Sequence, residues 1–183
     1  MKILIACEFS GIVRTAFEKL DHDVWSCDIL PTELPGKHYQ GYLEDFIGSE
    51  WDLIIAHPPC TYLAGSGARW WKYRQQEQKY AIAFVKMIWN KDCKRIAIEN
   101  PIGILSRSEN LGKPSQYIHP WQFGHGETKK TCLWLKGLPN LVPTNIVNGR
   151  EPRIHHMPPS PTRSKERSRT YQGWANAMAE QWG

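Results

Sequence analysis

Alternating strand-like and helix-like segments predict an α/β fold, a doubly wound and mostly parallel sheet covered by helices on both faces. Three observations carry this. Short apolar runs at 2–7, 23–27, 52–56, 95–98 and 131–135 have the length of buried strands. Residues 12–20 and 74–90 carry apolar side chains at helical spacing, among them Ile12, Val13, Ala16, Phe17 and Leu20, then Ala81, Phe84, Val85 and Ile88. A glycine turn, Phe9-Ser10-Gly11, joins the first run to the first helix, which is how nucleotide-binding α/β units begin.

In chain order, Asp28 closes the second strand, and Pro31, Pro35 and Gly36 make the next stretch a loop. Residues 38–40 give a short third strand and 52–56 the fourth. The fourth stops at Pro58-Pro59, because proline fixes φ and gives up its N–H. A polar, glycine-broken loop over 61–73 precedes the helix at 74–90, and the fifth strand ends at Glu99-Asn100-Pro101. Residues 102–122 show no clear pattern. Residues 150–169, with six Lys or Arg and four prolines, read as an extended surface arm. A final helix spans 171–182.

The length of 183 residues suits a single domain, 1–183, with one core. No apolar run of about 18 residues is present, so no membrane span is expected. The N-terminus turns polar too quickly for a secretory signal. The five cysteines, at 7, 27, 60, 93 and 132, lack metal-knuckle spacing and suit a reduced, cytoplasmic setting. No metal is expected; His155-His156 stand adjacent in a basic segment with no third ligand spaced to help. A net charge of +5 is compatible with a polyanionic partner. Nine tryptophans, several in polar contexts, supply stacking surface or packing.

Strand ends in a doubly wound sheet share one edge, where ligands bind. Here that edge collects Phe9, Ser10 and Gly11, Asp28, Cys60 and Glu99. A glycine turn lets a ligand approach backbone N–H groups, and a strand-end acid accepts hydrogen bonds from ribose hydroxyls. A cysteine on a rigid turn is either a nucleophile or a small buried hydrophobe.

The order Phe9-Ser10-Gly11, Asp28, Pro58-Pro59-Cys60, Glu99-Asn100-Pro101 resembles the DNA cytosine C5-methyltransferases. Phe123 to Thr131 is similar to that family's Tyr-Gly-x-Pro-Gln-x-Arg-x-Arg stretch, and Gln172 to Met178 to its C-terminal Gly-Asn-x-Val segment. The likeness runs from about residue 3 to 180, as in a small, phage-like member. It implies a sheet of the class I S-adenosylmethionine-dependent methyltransferase (Rossmann-like) type, with S-adenosyl-L-methionine as cofactor and cytosine-containing DNA as partner.

By the resemblance, Cys60 is the nucleophile that adds to C6 of a flipped cytosine, activating C5. Glu99 binds N3 and the exocyclic amine, a role suited to a carboxyl raised by partial burial. Lys129 completes the catalytic set. Phe9, Ser10, Gly11, Asp28, Asp45, Pro58 and Asn176 hold the cofactor. Arg69, Lys72 and Arg74, in the loop expected to close over the base, and Arg163, Lys165 and Arg167, in the basic arm, meet the nucleic acid.

Four departures matter. Val13 and Arg14 stand where a second glycine is usual. Tyr42 replaces the acid that holds the adenine amino group, leaving Glu44 or Asp45 to substitute. Lys129 and Thr131 replace two arginines. Residues 136–171 form a short basic insertion in place of a target-recognition domain. Two further readings follow from these departures: a cytosine-nucleotide C5-methyltransferase, and a non-catalytic nucleic-acid-binding protein retaining the fold.

Overall fold

A computed structural model describes residues 1–48 and 50–183. Seven strands form one sheet: β1 (Lys2–Ala6), β2 (Asp23–Asp28), β3 (His38–Gln40), β4 (Leu53–Ala56), β5 (Ile96–Pro101), β6 (Gln116–Ile118) and β7 (Thr131–Lys136), in the order β3-β2-β1-β4-β5-β7-β6. The first five run parallel; β7 is antiparallel to both β5 and β6. The chain winds outward from β1 to β3, then returns to β4 on the other side of β1. Ligand crevices of open α/β sheets form at such a reversal, beyond the carboxyl ends of the strands.

Alternation along the central strands builds a core on each face. Ile3, Ile5, Leu53 and Ile55 pack with Val13 and Phe17 of α1 (Ile12–Glu18) and Trp174, Met178 and Trp182 of α6 (Gln172–Trp182). Leu4, Ala6, Ile54 and Ala56 pack with Val85 and Ile88 of α3 (Gln75–Trp89) on the other face. Among the described residues, no helix is long and apolar enough to cross a membrane.

Three local expectations are corrected, and two stretches without an assignment gain structure. The stretch expected as a loop at 61–73 is mostly a 3-10 helix, Gly65–Tyr73. A four-residue helix, α2 (Leu43–Phe46), follows β3, driven by burial of Leu43 and Ile47. Within 102–122 lie β6 and the 3-10 turns Ile104–Ser106 and Pro120–Gln122. The arm at 150–169 is not extended: it forms α4 (Arg153–His156) and α5 (Arg163–Ser168). Ile154 is buried and docks α4, while Lys165 and Arg169 pair with Glu33 and hold α5 against the body. Glu99 does not end β5. Once β4 has stopped, β7 supplies partners for Glu99, Asn100 and Pro101.

Candidate active site

The turn after β1 is built around an acid. Glu8 is buried, and its carboxylate accepts hydrogen bonds from the N–H groups of Val13 (2.6 Å) and Arg14 (3.2 Å) and from Ser10 Oγ (3.2 Å). It thus fills the start of α1, where the open N–H groups of a helix otherwise attract an anion. Burial raises its carboxyl above the usual value, against those hydrogen bonds and the nearby His57 charge. Gly11 takes φ 72°, and a Cβ there would press to 2.9 Å from the Arg14 guanidinium, so glycine is needed on both counts. Phe9 and Ser10 are buried beside it.

Arg14 has its own task. It is fully buried and donates to Ser26 Oγ (2.9 Å), Leu34 O (2.6 Å) and Pro35 O (2.8 Å), with Glu18 Oε1 3.4 Å from its Nε. It pins the loop between β2 and β3, which begins at Asp28. Asp28 accepts a hydrogen bond from the Leu30 N–H (2.9 Å), and partial burial raises its carboxyl. Burial, Asp28, Glu44 and Asp45 push the Cys27 thiol up to about 12. Asp28, Glu44 and Asp45 thus all act on the Cys27 thiol. Tyr42 is exposed.

A crevice of about 500 Å³, lined in part by Glu44, Pro59, Tyr62, Glu77, Tyr80 and Phe84, opens beside the Pro58-Pro59 turn. Its size suits a small-molecule site. Its two charged side chains, Glu44 and Glu77, are both acids, which suits a cationic or zwitterionic ligand better than a diphosphate. S-adenosyl-L-methionine, with its sulfonium and ammonium groups, fits that chemistry.

Cys60 follows the turn. The Asn100 side chain donates to Pro58 O (2.8 Å) and ties the turn of β4 to β5, both residues being buried. The N–H groups of Leu63 and Ala64 close onto Cys60 O at 3.0 and 2.9 Å. The residue is exposed, whereas Cys27, Cys93 and Cys132 are buried. Desolvation around the sulfur and the Glu99 charge raise its thiol above the usual value; Lys129 and Arg167 pull the other way.

The charges of Glu99 on β5, Lys129 in the segment before β7 and Arg167 on α5 are thus all felt at this thiol. His57 joins them, its Nδ1 donating to Glu99 Oε2 at 3.2 Å. The expectation of a raised Glu99 is corrected. Burial acts in that direction, but the hydrogen bond from His57, the charges of Lys129 and His57 and the nearby Thr131 hydroxyl outweigh it and hold the carboxyl below its usual value. Lys129 also donates to Arg167 O (3.2 Å) and lies 5.7 Å from the ring centres of Tyr171 and Trp174.

The remaining candidates lie further out. Arg69, Lys72 and Arg74 are exposed on the 3-10 helix and its end, and Arg74 pairs with Glu77 at 2.9 Å. Lys165 pairs with Glu33 (2.7 Å) and stands 5.1 Å above the Phe9 ring, so α5 covers the turn proposed to hold cofactor. Arg163 is half-buried on the same helix. Asn176 is exposed on α6 and accepts a hydrogen bond from Gln172 (2.8 Å); among the described residues it makes none to the strand-end groups.

Sequence reasoning gave no role to Glu8, His57 or Asn100. An acid between a strand and a glycine-helix turn is a readable signal for Glu8. His57 and Asn100 acquire meaning only when β4 and β5 are neighbours.

The thiol electrostatics give a direct test. In the native protein, iodoacetamide should label Cys60 first, slowly at neutral pH and faster as pH rises, since only the thiolate reacts. Glu99→Gln removes a charge that raises the thiol and should accelerate labelling at pH 8; Lys129→Gln should slow it. Peptide mass spectrometry reads the site, and slower labelling in Glu99→Gln would contradict this arrangement.

Comparison with protein-family models gives no match for this chain, and comparison with curated protein sequences gives none.

Proposed function

We propose that this protein is a DNA (cytosine-5-)-methyltransferase using S-adenosyl-L-methionine, with a sheet of the class I methyltransferase type. The observation that carries the reading is the joining of the turn that bears Cys60 to β5, with His57 paired to Glu99 at 3.2 Å and Asn100 bonded to Pro58 O at 2.8 Å, which sets Cys60 and Glu99 at one carboxyl edge beside the crevice. The strand order, reversing between β1 and β4, supports a ligand site at that edge.

Cytosine C5 is too weak a nucleophile to take a methyl group unaided. Addition of Cys60 Sγ to C6 turns the ring into an enamine and raises electron density at C5. Lys129 and Arg167 favour the thiolate that must form. Glu99 faces N3 and the exocyclic amine. Held ionised in the free protein, it needs a proton to pair with N3; an incoming base that displaces water from the carboxyl pushes its pKa upward and favours that protonation. His57 orients the carboxylate through Oε2. The bound cofactor supplies an electrophilic methyl group. Loss of the C5 proton to a base then expels Cys60 and restores the aromatic ring.

One observation favours a nucleotide substrate as a second reading. The insertion lies down on the body: Gly124 N–H donates to Asn145 O (2.7 Å) and Glu151 N–H to Gly126 O (2.9 Å). At thirty-six residues, 136–171, it is too short to bury the roughly 1,000 Å² typical of sequence-specific DNA readers. Short or relaxed recognition is therefore expected on DNA.

Mass spectrometry of nucleosides from cells expressing the protein should show 5-methylcytosine in DNA. Its absence there, with methylation of free cytosine nucleotide in vitro, would select the second reading. Absence from both, in protein shown by calorimetry to bind S-adenosyl-L-methionine, would overturn the proposal. Glu99→Gln should slow transfer by about 10²–10⁴-fold, the usual range for a positioned acid.

A further inference from the structure

The twenty residues after Cys60 hold five aromatics (Tyr62, Trp70, Trp71, Tyr73, Tyr80) and four cations (Arg69, Lys72, Arg74, Lys79) against one acid, Glu77. Their arrangement is unlike a packing surface. Trp70, Tyr73 and Tyr80 are 54%, 66% and 65% exposed, although aromatic rings normally contribute by burial. Arg69 stands 5.2 Å from the Trp70 ring centre and Lys72 4.7 Å from that of Tyr73. Beside them runs a groove of about 370 Å³ lined by Thr61, Tyr62, Gly67, Trp70, Trp71 and Arg74.

The base of this surface is fixed. Leu63 and Ala64 are buried and hydrogen-bonded to Cys60 O, Gly65 N–H donates to Ile102 O (2.8 Å), and Gln78 Nε2 donates to Tyr62 O (2.9 Å). A Cβ on Gly103 would collide with Leu63 O. The exposed rings of Trp70 and Tyr73 are therefore carried on an anchored base, on the 3-10 helix that follows the Cys60 turn.

We propose that Trp70, Tyr73 and the adjoining groove are a stacking platform for single-stranded DNA, so that the protein takes its cytosine from unpaired strands in preference to intact duplex. The stacking site stands independently; its link to cytosine rests on the methyltransferase reading above. Alternating rings and cations match the bases and phosphates of a single strand, in which every base offers a π-face. In a duplex those faces are stacked away. A lipid surface is a poorer match, because residues 65–73 contain no aliphatic side chain larger than Ala68 to insert. A protein partner is a poorer match because Lys72 and Lys79 accompany the rings, and lysine is depleted from protein interfaces.

The test uses the full chain carrying Cys60→Ala, without cofactor, so that it reads binding and not transfer. Fluorescence anisotropy is measured with a labelled mixed-sequence DNA strand, its duplex and the RNA strand of the same sequence. The DNA strand should bind about tenfold more tightly than the duplex, with quenching of tryptophan emission. Trp70→Ala should weaken strand binding by roughly 5- to 100-fold, as loss of one stacked base implies. Its duplex binding and the salt dependence of its strand binding should hardly change. Arg69→Gln should instead flatten the salt dependence by about 0.7 in log–log slope, one phosphate's share on a single strand. Duplex bound as tightly as the strand, RNA bound more tightly than DNA, or Trp70→Ala without effect would each overturn the platform. A protein that binds strands in this way but never methylates them would overturn the proposed function alone.

Discussion

Cys60→Ala is expected to abolish transfer to cytosine, by about 10⁴-fold or more, while leaving the fold intact. Losing a covalent nucleophile removes the reaction path, a loss of the kind that reaches roughly 10⁶ in serine hydrolases. The residue is exposed and ends a turn fixed by Pro58, Pro59 and the Asn100 bond to Pro58 O. A surface substitution of this kind changes stability by no more than about 0.5 kcal/mol. The two effects are separable: thermal unfolding should superimpose with that of the native protein while methyl transfer disappears. DNA carrying 5-fluorocytosine offers a second readout. Fluorine at C5 cannot leave as a proton does, so the adduct should persist on Cys60 and appear in the intact mass. Transfer surviving in Cys60→Ala, or an adduct on another cysteine, would remove Cys60 from the reaction.

Arg14→Met should be the most destabilising single change outside the apolar core, by about 3–5 kcal/mol, the range for breaking a buried charged network. Methionine preserves volume but removes three hydrogen bonds to the loop, at Ser26 Oγ, Leu34 O and Pro35 O, together with the buried charge that faces Glu18. Arg14→Lys should recover little, since an ammonium cannot span three acceptors with the guanidinium fork. Lys37→Ala is the control. Its pair with Asp23 is 2.8 Å long but about half exposed on both sides, and such surface pairs contribute roughly 0–1 kcal/mol. Urea titrations should separate the two variants widely in midpoint. A midpoint for Arg14→Met close to that of Lys37→Ala would show that the loop holds without its guanidinium. Because Arg14 fixes the loop after Asp28, the variant should also weaken binding of S-adenosyl-L-methionine.

Arg14 also shows how far the chain is readable. In sequence it is a charged residue where a second glycine is usual. In the fold it fills a buried slot bounded by Gly11 and Gly36, each too close to tolerate a Cβ, and gives the turn its support. The central strands and long helices were legible because β and α periodicities are local properties of ten to fifteen residues. The insertion was misread for the reverse reason. Its helices α4 and α5 are short, and they are held by Ile154, by Glu33 and by backbone bonds to 124–128, all distant in sequence.

The sequence by itself determined a mostly parallel α/β sheet and the order of its acids, its glycine turn and its one Pro-Pro-Cys. It also placed Cys60 on a rigid turn at a strand's carboxyl end. The tertiary structure decided what surrounds that thiol. β4 and β5 lie side by side with β7 reversed beyond them, so Glu99, His57, Lys129 and Arg167, spread over more than a hundred residues, act on one another. It also reversed the expected state of Glu99. Burial alone raises a carboxyl, and only the positions of His57 and Lys129 show that neighbouring charges and hydrogen bonds outweigh it. Periodicity is written along the chain, whereas the field at a buried carboxylate is a sum over groups that only the sheet order brings within reach.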